Sequence, residues 1–254
     1  MTEVVWITGA SSGLGAALAR RVAQDGQVVA ASARRRDKLA ALAAEAGGGL
    51  IRPFPLDVED PEALRAAVAQ IEREAGPIGQ AVLNAGIHQP VDPRDLKVED
   101  FRRLVELNLM GTVYSLAAVL PGMIARRRGR IAIVASVAGY RGLPTAAAYG
   151  MTKAGLINMA EALRVELAPL GIIVQIVNPG FVRTPLTDRN AFPMPFLMAP
   201  EDAAEAFYRG LQSDRFEISF PKRLVWIMKL LRCLPAPLGF AVTRRLLPKE
   251  RQPS

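Results

Sequence analysis

The sequence predicts an α/β fold, a doubly wound parallel sheet in one domain (1–220) followed by a basic, apolar C-terminal extension (221–254). Three observations predict it. Short apolar runs alternate with helical patterns almost throughout, as when parallel strands carry helices on both faces. The first run, Val4–Thr8, ends in a glycine-rich turn that opens a helical pattern. The chain has 254 residues, half of them apolar, and no internal repeat or low-complexity linker, which is material for one large core.

The elements follow in order. Val4–Thr8 is the first strand, and Gly9-Ala10-Ser11-Ser12-Gly13-Leu14-Gly15 leads into a helix reaching about Asp25. Strand, glycine turn and helix in that order let backbone N–H groups and a helix N-terminus face an anion. A glycine turn without a ligand is the plainer reading, and the strand before and helix after weigh against it. Residues 27–33 form the second strand, and Arg34, Arg35 and Arg36 come where a dinucleotide fold meets the adenosine ribose. Many such folds end this strand in an acid that binds the 2′-hydroxyl. Here the position is Ala33, and the arginines after it suit a 2′-phosphate, so the expected cofactor is NADP(H). A solvated basic turn is the competing reading, strongest for Arg36.

A third strand is expected over 50–58, passing Asp57 and Val58. Asp60-Pro61-Glu62 then starts a helix, with proline and acid in its first turn. The fourth strand, 80–84, runs into Asn84-Ala85-Gly86, small residues that allow close approach to the backbone. His88, the one histidine, reads as a loop residue without a duty, since no second histidine or carboxylate beside it supports a metal or triad role. A long helical pattern, 98–127, holds Asn108, a poor mid-helix residue, and is broken at Pro121-Gly122. The fifth strand, 130–136, ends at Ser136, and a helix carrying Tyr149 and Lys153 runs to about Ala168. A sixth strand, 171–177, turns out through Asn178-Pro179-Gly180. The following loop is long, proline-broken and apolar (Phe181, Leu186, Phe192, Phe196, Leu197), which suggests a lid over an apolar substrate. A helix at 200–213 and a strand at 216–220 complete the domain.

Composition narrows the setting. A single cysteine, Cys233, excludes an intrachain disulfide and points to a reducing, cytoplasmic compartment. No signal-peptide pattern precedes the 4–7 run, and no unbroken apolar run approaches the ~20 residues of a membrane span. The formal charge is +8, but residues 221–254 hold eight cations against Glu250 alone. A near-neutral body argues against a nucleic-acid partner.

The chemistry is concentrated in Tyr149-Gly150-Met151-Thr152-Lys153, with Ser136 thirteen residues upstream. Tyrosine and lysine four apart on a helix share a face. Bringing a phenol from a pKa near 10 to about 7 takes roughly 4 kcal/mol. One cation about 4 Å away at an effective dielectric of about 20 supplies that much. The lysine is therefore expected to lower the tyrosine pKa, and a serine hydroxyl to hold a carbonyl oxygen for it.

Together, Thr8 with the 9–15 glycine turn, Asn84-Ala85-Gly86, Asn108, Ser136, Tyr149-x-x-x-Lys153 and Asn178-Pro179-Gly180 closely resemble the short-chain dehydrogenase/reductase family in its compact, single-domain Rossmann branch, over about residues 4–220. The resemblance implies that Tyr149 donates or accepts the proton, that Lys153 lowers its pKa and binds the nicotinamide ribose, that Ser136 positions the substrate oxygen and that Asn108 holds a relay water. It implies that Gly9, Ser11, Ser12, Gly13, Leu14 and Gly15 hold the pyrophosphate, and that Asp57 and Val58 meet adenine. Asn84, Ala85 and Gly86 would line the adenosine side, with Pro179, Gly180, Val182 and Thr184 near the nicotinamide. The expected activity is NADPH-linked reduction of a carbonyl on a hydrophobic small molecule, or the reverse, by a homodimer paired through the helices around 101–125 and 149–168. The alternatives are a cofactor-binding sensor on the same fold and a membrane-docked scaffold. For the extension two placements stand level: along an anionic membrane at the inner face, with Trp226, Lys229 and Arg232 or Cys233 on one stripe, or folded back over the substrate loop or the dimer partner.

Overall fold

The computed structural model describes residues 3–185, 187 and 194–247. Seven parallel strands, β1 (Val4–Thr8), β2 (Val29–Ser32), β3 (Ile51–Pro53), β4 (Ile78–Leu83), β5 (Gly129–Val134), β6 (Ile172–Pro179) and β7 (Glu217–Phe220), form one sheet in the order β3-β2-β1-β4-β5-β6-β7. The order reverses between β1 and β4, and ligands of open α/β sheets bind in the crevice beyond the strand ends there.

β1 shows why the sheet is covered on both sides. Val4 and Trp6 pack into the core layer beneath α3 (Pro61–Glu74), α5 (Gly111–Arg126) and α6 (Ala147–Leu167), with Ile71, Leu116 and Leu156. Val5 and Ile7 pack into the opposite layer, under α1 (Gly13–Gln24), α2 (Arg36–Ala46) and α7 (Pro200–Leu211), with Leu18, Leu39 and Phe207. Alternate side chains point to opposite faces, so a strand covered on both reads as an unbroken apolar run. Trp6 alone, fully buried, contributes about 1.5–3 kcal/mol by burial, and its indole N–H donates to Ser32 Oγ at 3.0 Å.

Several boundaries differ from the sequence expectation. β3 ends at Pro53, short of residue 58, although the chain stays beside β2: Phe54 N–H donates to Ala31 O at 2.9 Å and Leu56 N–H to Ala33 O at 3.2 Å, while Pro53 and Pro55 fall at the alternate positions that face the open sheet edge. β5 stops at Val134, which frees Ser136 to open the short 3₁₀ turn Val137–Gly139. Pro121 does not break the long helix: α4 (Val98–Leu104), a π-turn (Val105–Met110) and α5 run on to Arg126. The carbonyl that Pro121 frees belongs to Ala117, and both residues are exposed, so water can satisfy it. Among the described residues, Val98–Arg126 is the one helix long and apolar enough to cross a membrane. Here Leu104, Leu107, Leu116, Val119 and Met123 bury its apolar side inside the protein.

The extension begins as α8 (Lys222–Cys233) and α9 (Ala236–Arg244). Leu224, Val225, Met228 and Leu231 of α8 enter the main core, while Trp226, Ile227 and Leu230 face outward. Lys229 corrects the expected stripe: its ammonium turns toward Glu217 at the start of β7, away from the Trp226 face.

Candidate active site

The site is assembled from the carboxyl ends of β1, β4, β5 and β6. After Thr8 the chain turns through Gly9 (φ +67°) and Gly13 (φ +56°), conformations that favour glycine. Gly15 is needed for another reason: a Cβ there would lie 2.5 Å from Gly9 O and 2.6 Å from Asn84 Nδ2. Ser12, the N-cap of α1, makes no side-chain cap, which leaves the first-turn N–H groups for an anion. The buried Thr8 hydroxyl accepts from the backbone N–H of both Asn84 (3.0 Å) and Ala85 (3.1 Å), and Asn84 Nδ2 donates to Thr8 O at 3.1 Å. These bonds fix the β4 loop against the glycine turn.

The two arginines beyond β2 separate by their partners. Arg34 lies 3.7 Å from Asp57 and 3.8 Å from Glu59. Arg35 instead donates to Ser11 Oγ (3.0 Å) and Ser12 Oγ (2.8 Å). Arg35 thus stands at the glycine turn held by hydroxyls. Asp57 Oδ1 also accepts from Glu59 N–H at 3.2 Å, and Val58 packs where a Cβ on Gly111 would be, 2.9 Å away.

Asn108 is fully buried at the π-turn, where an inserted residue widens the helix. Its Oδ1 accepts from Ile87 N–H (2.8 Å), and its Nδ2 donates to Ile87 O (3.0 Å) and Thr152 Oγ1 (3.1 Å). Thr152 in turn donates to Tyr149 O at 2.8 Å. Asn108 therefore clamps the loop after Gly86 to the first turns of α6, and these protein partners occupy its amide. Asn108→Ala is expected to destabilise the protein by about 2–4 kcal/mol, since it empties a fully buried position and removes the partners of the Ile87 N–H and C=O and of the buried Thr152 hydroxyl. Urea unfolding checks this, and a loss below about 1 kcal/mol would contradict the clamp.

Tyr149 and Lys153 lie one turn apart on α6, with Lys153 Nζ 5.6 Å from the centre of the Tyr149 ring. The ammonium donates to Val134 O at 2.9 Å. Gly86 is close by: a Cβ there would lie 3.5 Å from Lys153 Nζ and 3.3 Å from Asn108 Oδ1. Ser136 accepts from Ala138 N–H at 3.1 Å and reaches Pro179 O at 3.4 Å. Burial pushes the Tyr149 phenol up to about 12, and the Ser136 hydroxyl offsets part of that. Burial pushes Lys153 down to about 8. The expected lowering of the phenol by Lys153 is thus corrected for the protein's own groups. Desolvation outweighs an ammonium that is aimed at a carbonyl.

Residues after β6 close the fourth side. Gly180 N–H donates to Phe220 O at 2.7 Å, and Val182 bridges to Met198. Thr184 comes back to the glycine turn, where a Cβ on Gly13 would lie 3.0 Å from its methyl group. The expected lid residues Leu186 and Phe192 fall outside the described residues, whereas Phe196 and Leu197 are described and exposed. The structure brings Asn108, Ser136, Tyr149 and Lys153 together with the glycine turn. It leaves Arg34 and Asp57 paired to one side.

Sequence reasoning passed over four contributors. Thr8 and Thr152 are buried hydroxyls inside motifs already marked, so their place in the motif was the available signal. His88 had none, yet its ring meets Tyr149 edge-on with centroids 4.7 Å apart. Glu217 accepts from Tyr140, Lys229 and Asn178, joining β6, β7, α8 and the Ser136 turn. Burial alone would raise Glu217, but Lys229 and the two hydrogen-bond donors hold it below the ordinary carboxylate value.

A profile described as "short chain dehydrogenase" matches residues 3–192. An uncharacterized oxidoreductase of Myxococcus xanthus is 41% identical over 242 residues, covering 94% of this chain and 96% of that protein. A 3-oxoacyl-[acyl-carrier-protein] reductase of Thermotoga maritima is 35% identical over 216 residues, covering 84% of each. A short-chain dehydrogenase of Sphingobium yanoikuyae, solved in complex with NADPH, superposes with a TM-score of 0.78 at 30% identity, covering 92% of this chain and 97% of that one.

Proposed function

Given that this chain belongs to the short-chain dehydrogenase/reductase family of oxidoreductases, we propose that it reduces a carbonyl group on a hydrophobic small molecule at the expense of NADPH. The observation that carries this reading is the convergence of Ser136, Tyr149 and Lys153 beside the glycine turn.

The protein's residues fit the cofactor: the first-turn N–H groups of α1 are left uncapped by Ser12, and Arg35 stands at the glycine turn held by the Ser11 and Ser12 hydroxyls. Bound NADPH supplies the hydride. The glycine turn and the α1 N-terminus would hold its pyrophosphate, Arg35 its 2′-phosphate, and Lys153 its nicotinamide ribose. Ser136 orients the substrate oxygen toward Tyr149. Tyr149 gives that oxygen its phenolic proton. Lys153 is still largely protonated at pH 7, because burial brings it only to about 8, and its charge favours the phenolate left behind. Exposed Phe196 and Leu197 support an apolar substrate entrance.

The test is NADPH oxidation with a panel of hydrophobic ketones and aldehydes. Tight NADPH binding with no turnover on any of them would favour a cofactor sensor instead. The proposed setting is the cytoplasm, with a homodimer formed through α5 and α6. On α5, Val113 and Ile124 lie three turns apart and exposed, and on α6 so do Met151 and Val165 at four turns. Light scattering should give twice the chain mass at micromolar concentration, and a monomer there would end the dimer assignment.

A further inference from the structure

We propose that α8 and α9 form a docking surface for an anionic lipid bilayer. The outer face of α8 presents Trp226 (71% exposed), Ile227 (53%) and Leu230 (67%), and α9 adds Leu238 (57%), Phe240 (63%) and Val242 (44%). Single exposed apolar residues are ordinary, whereas six on two consecutive helices, three of them together on the outer face of α8, call for a partner. The inner sides of these helices are already engaged. α8 buries Leu224, Val225, Met228 and Leu231 in the core, and α9 buries Gly239 and Thr243. The outer surface is what remains.

Charge decides what covers it. Residues 221–247 contain six Lys or Arg and no Asp or Glu. Lys229 is committed to Glu217, but Lys222, Arg223, Arg232, Arg244 and Arg245 are exposed beside the apolar face. Two copies meeting through this surface would oppose like charges, whereas anionic headgroups match it. Trp with Arg and Lys around an apolar helix face is the composition of an interfacial helix. Twelve residues make α8 only about 18 Å long, too short to span a bilayer core of about 30 Å, so the helices lie along the surface.

Both helices are fixed to the catalytic side. Arg141, just after the Ser136 turn, donates to Leu234 O at 3.3 Å and lies 5.5 Å from the centre of the Phe240 ring. A Cβ on Gly180 would lie 2.7 Å from Leu224. Docking would therefore bring the segments that carry Ser136 and follow Pro179 close to the lipid, where apolar substrates concentrate. The docking itself does not depend on the catalytic proposal.

The sequence contains two tryptophans, and Trp6 is fully buried, so a change in emission on adding lipid reports Trp226. Full-length protein is mixed at low salt with vesicles of phosphatidylcholine alone or with phosphatidylglycerol. The expected result is co-sedimentation and a blue shift with the anionic vesicles only, both weakening as salt rises. Arg244→Gln with Arg245→Gln should weaken binding by about fivefold per cation removed. Leu230→Ser with Phe240→Ser should weaken it at least about tenfold, with circular dichroism and NADPH binding unchanged. Absence of both sedimentation and shift with anionic vesicles would overturn the proposal, as would binding by both double variants equal to that of the wild type. A lipid-free blue shift that grows with protein concentration alongside a doubling of mass would overturn it too, assigning the face to a second copy.

Discussion

Tyr149→Phe is expected to lower kcat by about a hundredfold or more while leaving NADPH affinity intact. The substitution removes one hydroxyl. The ring remains packed edge-on against His88, and the Lys153 bond to Val134 O does not involve it. A positioned acid in the transition state contributes about 10²–10⁴-fold, so a hundredfold loss is the lower end. pH dependence adds a second readout. Tyr149 is pushed up to about 12 and keeps its proton across the working range. Lys153 is pushed down to about 8, so its charge is present below that pH and lost as pH rises through it. Reduction should therefore hold level up to about pH 7 and decline through about pH 8. Near wild-type turnover by the Phe variant would remove Tyr149 from the role of acid. A rate still rising at pH 9 would contradict the part given to Lys153.

Reversing the charge at Arg35 should have the next largest effect. Arg35→Glu is expected to reduce kcat/KM for NADPH about ten- to a hundredfold and to spare NADH. A charge-assisted contact with phosphate is worth roughly 1.5–3 kcal/mol, which sets that range. The structure ranks Arg35 above Arg34. Arg34 already faces the carboxylates of Asp57 and Glu59, whereas Arg35 is held by the hydroxyls of Ser11 and Ser12. Ala33→Asp with Arg34→Ala should shift preference toward NADH by a smaller factor, because Arg35 remains. Equal kcat/KM for the two cofactors in the wild-type protein would refute NADPH preference. If Arg34→Ala weakened NADPH use more than Arg35→Glu, the ranking would be reversed.

The sequence by itself determined the sheet and its parallel sense and marked the proposed catalytic set. Each rests on local chemistry: unbroken apolar runs for strands covered on both faces, glycines where a turn needs positive φ, and a tyrosine and lysine one helical turn apart. Strand ends were less legible. β3 ends at Pro53 although Phe54 and Leu56 still donate to the chain of β2, and β5 stops at Val134, just before Ser136 caps the next turn. Only the tertiary structure decided how the site is held and how it is charged. Asn108 reaches Ile87 across 21 residues and Thr152 across 44, and Thr8 meets Asn84 across 76. No sequence spacing encodes such pairings, because they arise where separate strands end side by side. The Tyr149 pKa is decided the same way. Spacing placed a cation one turn away and predicted a lowered phenol. Burial, which depends on everything packed around the pair, raises the phenol and weakens the charge meant to lower it. Lys229 is the last instance: its helical position put it beside Trp226, and Glu217, brought next to it by β7, draws its charge inward.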